Sequence, residues 1–526
     1  GKDCLKHFDG MLAVAIYDKK RRRLIIAKDR FGKKPLYYTL QNGIFAFASE
    51  IKALTCHPNI TAELSILEIE RYCAYEYCPT PGTIYKDIYK LEAATYLELS
   101  LAKPVTRLPD STKYWQLNFT PKLEMDEAAA GSHFRELLIR AVEKRLISDV
   151  PLGVYLSGGI DSSAIVWAMA QIQDAASIKT FSIGFNEQSF DESDYARQVA
   201  TYFGTDHHSK TFDIDELLEI FPTVMSMTDE PFADASILPT YLLSRFTREK
   251  VTVALGGDGG DELFAGYDPF LALQFAPLIE YLPAPVQRLL LWLVDRLPSS
   301  EKNMSIGFRL HHFLKGFSPA TKGMPELRNQ IWLGPNFLHS PDSKNGGFSF
   351  DEIYHSTLAT IRPDLQTTDR LSNSYLGTYL HDDILVKVDR ASMMNSLEVR
   401  TPFLDTELAE FVARLPVNYK LRGLKTKYLM KMAMSGFIPD NILNRSKKGF
   451  GIPLAKWLRK DLAVVAQNSL IDLTNKLPDN FNRQYETGLF NQHLAGRADH
   501  RKEIWAKVIL NEVINQNKQS FVEVPV

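Results

Sequence analysis

The chain has 526 residues, of which 45% are hydrophobic and 24% charged, with a formal net charge of -2. That length exceeds the usual single core, so two or more domains are expected, and the composition is that of a globular protein rather than a disordered one. A near-balance of 61 basic and 63 acidic residues argues against a nucleic-acid footprint or an acidic tail. No apolar run approaches the roughly 20 residues of a membrane span, and the opening GKDCLKHFDG lacks the layout of a signal peptide. No nucleic-acid or membrane partner is therefore expected, and the location expected is cytoplasmic. Four cysteines, Cys4, Cys56, Cys73 and Cys78, have no paired metal spacing and read as reduced thiols.

From Met11 to Leu54 short strands alternate with turn signals: MLAVAIYD, RLIIAKD, RFGKKPLYYTL and QNGIFAFASE. The basic run Lys19 to Arg23 falls between two of them and reads as a solvated hairpin turn. Asn42-Gly43 is a second hairpin dipeptide, and AATYLELSL adds a later strand. The segment is mostly antiparallel sheet. A polar, proline-marked stretch from about Leu108 to Met125 reads as a linker.

Residues 126 to 147 carry apolar positions at Phe134, Leu137, Leu138, Ala141, Val142 and Leu146, the spacing of a helix with one buried face. Strands and helices then alternate: VPLGVYL, SSAIVWAMAQI, KTFSIGF, DESDYARQVATYFG, DELLEIFPTVMSM, ILPTYLLSRFTRE and VTVALGG. Asp191 is placed to cap the second of these helices and Gly204 to stop it. This alternation predicts a parallel, doubly wound α/β sheet. Beyond Tyr267 helical patterns dominate.

In such a sheet ligands collect at the carboxyl ends of the strands, where helix N-termini face the crevice. SGGIDSS stands at such an exit: Ser157, Gly158 and Gly159 leave room for backbone to close around phosphate, and Ser162 and Ser163 add hydroxyls. The loop has neither the lysine of a Walker motif nor a GxGxxG fingerprint. It carries Asp161 instead, and a carboxylate beside phosphate is repulsive unless a cation lies between them, so Mg²⁺ is inferred. A Gly-Gly turn alone is commonly structural. A second glycine-rich strand exit with acids, DGGDELFAGY, follows VTVALGG, and together the two would place Asp161 and Asp261 close enough to share the metal.

SGGIDSS preceded by SDVPLGVYL resembles the pyrophosphate loop of the ATP pyrophosphatase superfamily, specifically of asparagine synthetase-type glutamine-dependent amidotransferases. The resemblance continues through FSIGF, GTDHH, DEPFADASILPTY, LGGDGGDELFAGY, DDILVKVDRASMMNSLEVRTPFLD, NRSKKGFGIPL and IWAKVILNEV, in order over essentially the whole chain. It implies a partial N-terminal-nucleophile-type glutaminase domain over residues 1-112 and a synthetase domain over 125-526, with a parallel core and a helical C-terminal part. It also implies ATP and Mg²⁺, aspartate or another carboxylate as acceptor, and glutamine or ammonia as nitrogen donor; a homodimer is compatible with it.

Carried over residue by residue, the resemblance sets Leu156 and Ile183 at positions whose backbone contacts adenine or ribose, and Gly256 and Gly257 at a second nucleotide-contacting pair. Asp258 falls on the position implicated in forming the acyl-adenylate, and Lys447 on the lysine that meets the reacting phosphate; Lys448 is the alternative by a one-residue slip. Arg390, Glu398 and Arg400, in a helix-like stretch, read as ion pairs or acceptor-site residues. His207 and His208 start the next strand.

Two departures stand out. The family's glutaminase uses an N-terminal cysteine, whereas this chain opens on Gly1 and Cys4 matches an interior segment. Either the sequence is a piece of a longer protein, which is expected because half a sandwich would expose apolar strand edges, or free ammonia is the donor. Asparagine synthetases usually carry Glu where this chain has Asp258, and one methylene shifts the reach of a carboxylate by about an ångström. Aspartate is the leading acceptor; a uronic acid of surface polysaccharide synthesis and a non-catalytic nucleotide-binding regulator are the rival readings.

Overall fold

The structure, a computed structural model, describes residues 1–186, 190–294, 310, 313–317, 321–335, 347–445, 449 and 451–520. The N-terminal strands form two antiparallel sheets, β1 (Ala13–Asp18), β2 (Arg23–Lys28), β6 (Thr95–Ser100) and β7 (Thr112–Lys113) in the order β1-β2-β6-β7, and β3 (Tyr37–Gln41), β4 (Ile44–Ala48) and β5 (Ile88–Lys90) in the order β4-β3-β5. Both hairpins form where the sequence places them. Asp18 pairs with Arg23 across the basic turn, and Gln41 pairs with Ile44 across Asn42 and Gly43, whose φ values of 51° and 78° are what such a two-residue turn requires.

The linker expectation needs correction. Leu117 and Phe119 are buried, Trp115 Nε1 donates to Glu410 at 2.8 Å, and Lys122 Nζ donates to the Ala413 carbonyl at 3.0 Å. Alternating apolar residues in this polar stretch anchor it to the helices it crosses. The helix Glu127–Leu146 follows, capped by the Asp126 carboxylate accepting from Ala129 N at 2.8 Å. It buries Phe134, Leu137, Leu138, Ala141 and Val142, the predicted stripe, and each large side chain so buried contributes about 1.5–3 kcal/mol.

The parallel sheet comprises β8 (Leu152–Tyr155), β9 (Lys179–Phe185), β10 (Asp206–Phe212), β11 (Val253–Leu255) and β12 (Glu398–Arg400), in the order β10-β9-β8-β11-β12. Strand order reverses between β8 and β11, which sets the exits of those two strands side by side at the switch point. The helix Ile160–Ala170 is buried nearly all round, as its unbroken apolar text requires. The helix Ser193–Phe203 ends at Gly204 with φ 75°, and Asp191 accepts from Ser193 N at 3.0 Å.

β12 corrects the helix-like reading of Glu398 and Arg400. Three residues are too few to show a periodicity, and their pairing with Val253, Ala254 and Leu255 lies far away in sequence. One hydrophobic cluster runs from the N-terminal helix Ile66–Tyr75 through Phe181 and Leu242 to Trp505 and Ile509, so the two halves share a core. Among the described residues no helix is long and apolar enough to cross a membrane.

Candidate active site

A cavity of about 1050 Å³ opens where β8 and β11 end. Leu156, Ser157, Asp161, Ser162, Ile183, Gly256, Gly257, Asp258 and Asp261 all line it. Gly158 and Gly159 are not part of the lining; they shape the turn behind it. Gly158 has φ 68°, and a Cβ there would lie 2.4 Å from the backbone carbon of Tyr195 and 2.5 Å from Ala196 N. Gly158→Ala is expected to cost about 1–3 kcal/mol of stability and to raise the KM for ATP, checked by thermal unfolding and an ATP titration.

The loop is held by its own hydroxyls. Ser162 Oγ lies 3.2 Å from Ser157 Oγ and donates to the Gly159 carbonyl at 3.2 Å, while Ser163, fully buried, donates to the same carbonyl at 2.8 Å. Ser163 is therefore a structural hydroxyl. Arg445 clamps the loop from outside, donating to the carbonyls of Ser157 and Gly158 at 3.3 and 3.1 Å, pairing with Glu192 and lying over the Tyr195 ring.

The two glycine-rich exits do bring their acids together. Gly257 and Gly260 permit it: a Cβ on Gly257 would lie 3.1 Å from Asp161 Cβ, and one on Gly260 2.5 Å from Asp161 Oδ1. Between the carboxylates stands Lys427, its Nζ 2.5 Å from Asp161 Oδ2 and 2.6 Å from Asp261 Oδ1. Lys427 is buried and has φ 52°, a left-handed conformation uncommon for a residue other than glycine.

A cation between these acids is thus already part of the design, and the donor set suits Mg²⁺. Magnesium takes hard oxygens, keeps several waters, and binds through one or two carboxylates plus substrate phosphates. Asp161 and Asp261 supply that much; among the described residues no group of three or more His, Cys, Asp or Glu side chains gathers as a self-sufficient metal site.

Asp258 also faces the cavity, its Oδ2 folded to 2.8 Å from where a Gly256 Cβ would stand. Near it Lys387 Nζ donates to Asp234 at 2.8 Å; burial works against this ammonium, but Asp234 and Asp383 hold its pKa above the ordinary value. Glu76 lines the cavity as well, and burial pushes its pKa up to about 7 despite its ion pair with Lys502. The Leu156 and Gly256 N–H groups are engaged in the sheet, by the Phe181 and Arg400 carbonyls, both at 2.8 Å.

Lys447 and Lys448 lie outside the described residues. Arg390, Glu398 and Arg400 are absent from the cavity lining: Arg390 pairs with Asp229 at 3.3 Å and Glu50 at 3.4 Å, and Arg400 with Glu398 at 2.7 Å. His207 sits in β10 with Nδ1 2.9 Å from Thr180 Oγ1, and His208 stacks on Phe181. Sequence reasoning missed Lys427, Lys387, Asp234 and Arg445; the only local sign at Lys427 is a lysine embedded in the apolar start of KYLMKMA.

Residues 133–515 match the asparagine synthase family model, and residues 1–115 match that of a glutamine amidotransferase domain. The chain is 30% identical over 506 residues to glutamine-hydrolyzing asparagine synthetase 1 of Bacillus subtilis (strain 168), covering 95% of this chain and 76% of that one. Asparagine synthetase 3 of the same organism is 29% identical over 472 residues, 85% of this chain and 68% of the other. An amidase of Penicillium rubens is 26% identical over 501 residues, 87% of this chain and 71% of the other.

Proposed function

The chain belongs to the asparagine synthase family and is an ATP-dependent ligase that forms a C–N bond; we propose that it converts a carboxylate, with aspartate as the first acceptor to test, into its amide through an acyl-adenylate. The observation carrying this reading is the convergence of the two strand exits, which brings Asp161 and Asp261, both lining the cavity, onto the one ammonium of Lys427.

In the reaction a carboxylate oxygen of the acceptor attacks the α-phosphorus of ATP. The bond from that phosphorus to the bridging oxygen breaks, and pyrophosphate leaves with the electron pair. Ammonia, from glutamine or from solution, then adds to the acyl carbon, AMP departs, and a proton is lost from nitrogen.

Tyr155, Leu156, Phe181 and Ile183 form the wall that would take the adenosine, and the Ser157–Ser162 turn would receive the leaving phosphates. Asp161 and Asp261 would hold Mg²⁺, which when bound neutralises phosphate charge and stabilises the leaving group. Lys427 places a positive charge at the same point and keeps the two carboxylates oriented. Asp258 and Lys387 line the cavity and would meet the acceptor carboxylate and the α-phosphate, and the family resemblance alone assigns Lys447 as a further lysine of the reaction.

The test supplies ATP, Mg²⁺, aspartate and ammonium chloride, and follows AMP, pyrophosphate and asparagine. Equimolar formation of all three is expected. ADP as product, or pyrophosphate release indifferent to any carboxylate, would remove the reading.

A further inference from the structure

Among the described residues that line the cavity, Glu76 alone comes from the segment matching the glutamine amidotransferase domain; the others lie beyond residue 133. It stands just past the helix Ile66–Tyr75 in a left-handed conformation, φ 72°, and its N–H donates to the Tyr72 carbonyl at 2.8 Å. Its own carbonyl accepts from Ala233 N at 2.8 Å, which stitches this turn to the loop that carries Asp234. Lys502 Nζ, on the C-terminal helix Arg501–Ser520, donates to Glu76 Oε2 and to the Leu333 carbonyl, both at 2.5 Å. A turn, a loop and a helix far apart in sequence thus hold one half-buried carboxylate at the cavity wall.

A line of charged side chains leads to it from Asp258, the position that the family resemblance assigns to forming the acyl-adenylate. Asp258 is in electrostatic reach of Lys387, Lys387 Nζ donates to Asp234 at 2.8 Å, and the Asp234 charge acts on Glu76, which closes on Lys502. All five side chains belong to the cavity lining. Burial opposes the Asp234 charge, but Lys387 and Ser236 hold its pKa well below the ordinary value. Burial and the charge of Asp234 keep Asp383 protonated. Tyr72, buried, stays neutral, and Arg501 pairs with Asp499. Unlike Asp234 and Asp383, Glu76 changes charge near neutrality, because burial lifts its pKa to about 7 against the pull of Lys502. A group that titrates near the working pH is the effective kind of general base.

Resting on the ligase reading above, we propose that Glu76 is the proton acceptor of the amination step, a catalytic residue that the N-terminal segment supplies to the synthetase cavity. The lone pair of ammonia forms the C–N bond at the acyl carbon and leaves the nitrogen cationic. The Glu76 carboxylate takes one N–H proton, the electron pair of that bond returning to nitrogen, and the bond from the acyl carbon to AMP breaks with its pair on the AMP oxygen. Glu76 then releases the proton to water and pairs with Lys502 again. Adenylation, in which a carboxylate already ionised attacks phosphorus, transfers no proton and makes no use of this group.

That difference sets the test. Ammonia-dependent amide formation and ATP–pyrophosphate exchange are measured on the full chain across the neutral pH range, with the acceptor that supports exchange and with free ammonia held constant. Wild-type amide formation should rise as pH passes through about 7, where Glu76 ionises, and exchange should lack that limb. In Glu76→Gln the ratio of amide formation to exchange should fall about 10²-fold, the lower end of what a positioned base contributes, and the limb should vanish. Glu76→Asp should recover part of the ratio. Lys502→Met removes the cation that lowers the Glu76 pKa, so the limb should move to higher pH. Equal losses of amide formation and exchange in Glu76→Gln would make the side chain structural and overturn the proposal, as would a limb that persists in that variant. Absence of exchange with any carboxylate in the wild-type protein would instead end the ligase reading, and this proposal with it.

Discussion

Asp161→Asn is expected to lower pyrophosphate release by about 10²–10³-fold, a loss of roughly 2.7–4 kcal/mol of transition-state stabilisation. Asparagine keeps the shape, so the close approach of Gly257 and Gly260 is undisturbed, and Lys427 retains Asp261 at 2.6 Å. The fold should therefore survive, with an unchanged far-ultraviolet spectrum. What is lost is one of the two negative charges that would bind Mg²⁺ beside the phosphates, so the Mg²⁺ concentration for half-maximal rate should rise along with the fall in kcat. A variant with wild-type rate and Mg²⁺ dependence would leave the carboxylate with only its bond to Lys427 to explain its position.

Why this carboxylate could be found from sequence, and its partner lysine could not, follows from where each signal lives. SGGIDSS and DGGDELFAGY are local texts: each is a buried strand leaving through glycines whose conformations other residues resist, φ 68° at Gly158 and 93° at Gly259. The rule that parallel strands with reversed order open side by side then joins Asp161 to Asp261 without coordinates. Lys427 carries no such mark. It reaches Asp161 across 266 residues, through a contact that only tertiary packing creates. Arg445, which clamps the Ser157 and Gly158 carbonyls, is similarly a long-range partner with a common residue type. At the level of the fold, hairpins and amphipathic helices were legible because their periodicities span many residues. β12 was not, because three residues paired to a distant strand have no period to read. The stretch before residue 126 read as a linker because its polar majority outweighed Leu117 and Phe119, the two side chains that bury it.

Lys427→Met tests the pair from the other side and is expected to have the largest effect on stability. Methionine nearly preserves the volume but removes the ammonium shared by Asp161 and Asp261, leaving two largely buried carboxylates facing one another. Removing one partner of a buried ion pair costs about 3–5 kcal/mol, because the remaining charge is desolvated without compensation. The variant should melt at a lower temperature than the wild type in metal-free buffer. Mg²⁺ without nucleotide should then stabilise it more than it stabilises the wild type, since in the wild type the ammonium already neutralises part of the carboxylate charge. At 100 times the dissociation constant the recovery would be about 2.7 kcal/mol. Equal Mg²⁺ shifts in the two proteins would show that these carboxylates do not form the cation seat, whatever the activity of either. A larger shift in the variant, together with low pyrophosphate release that Mg²⁺ does not rescue, would separate the two duties of the lysine. It would hold the acids in register in the resting protein, and it would supply a positive charge to the phosphates once the substrate has arrived.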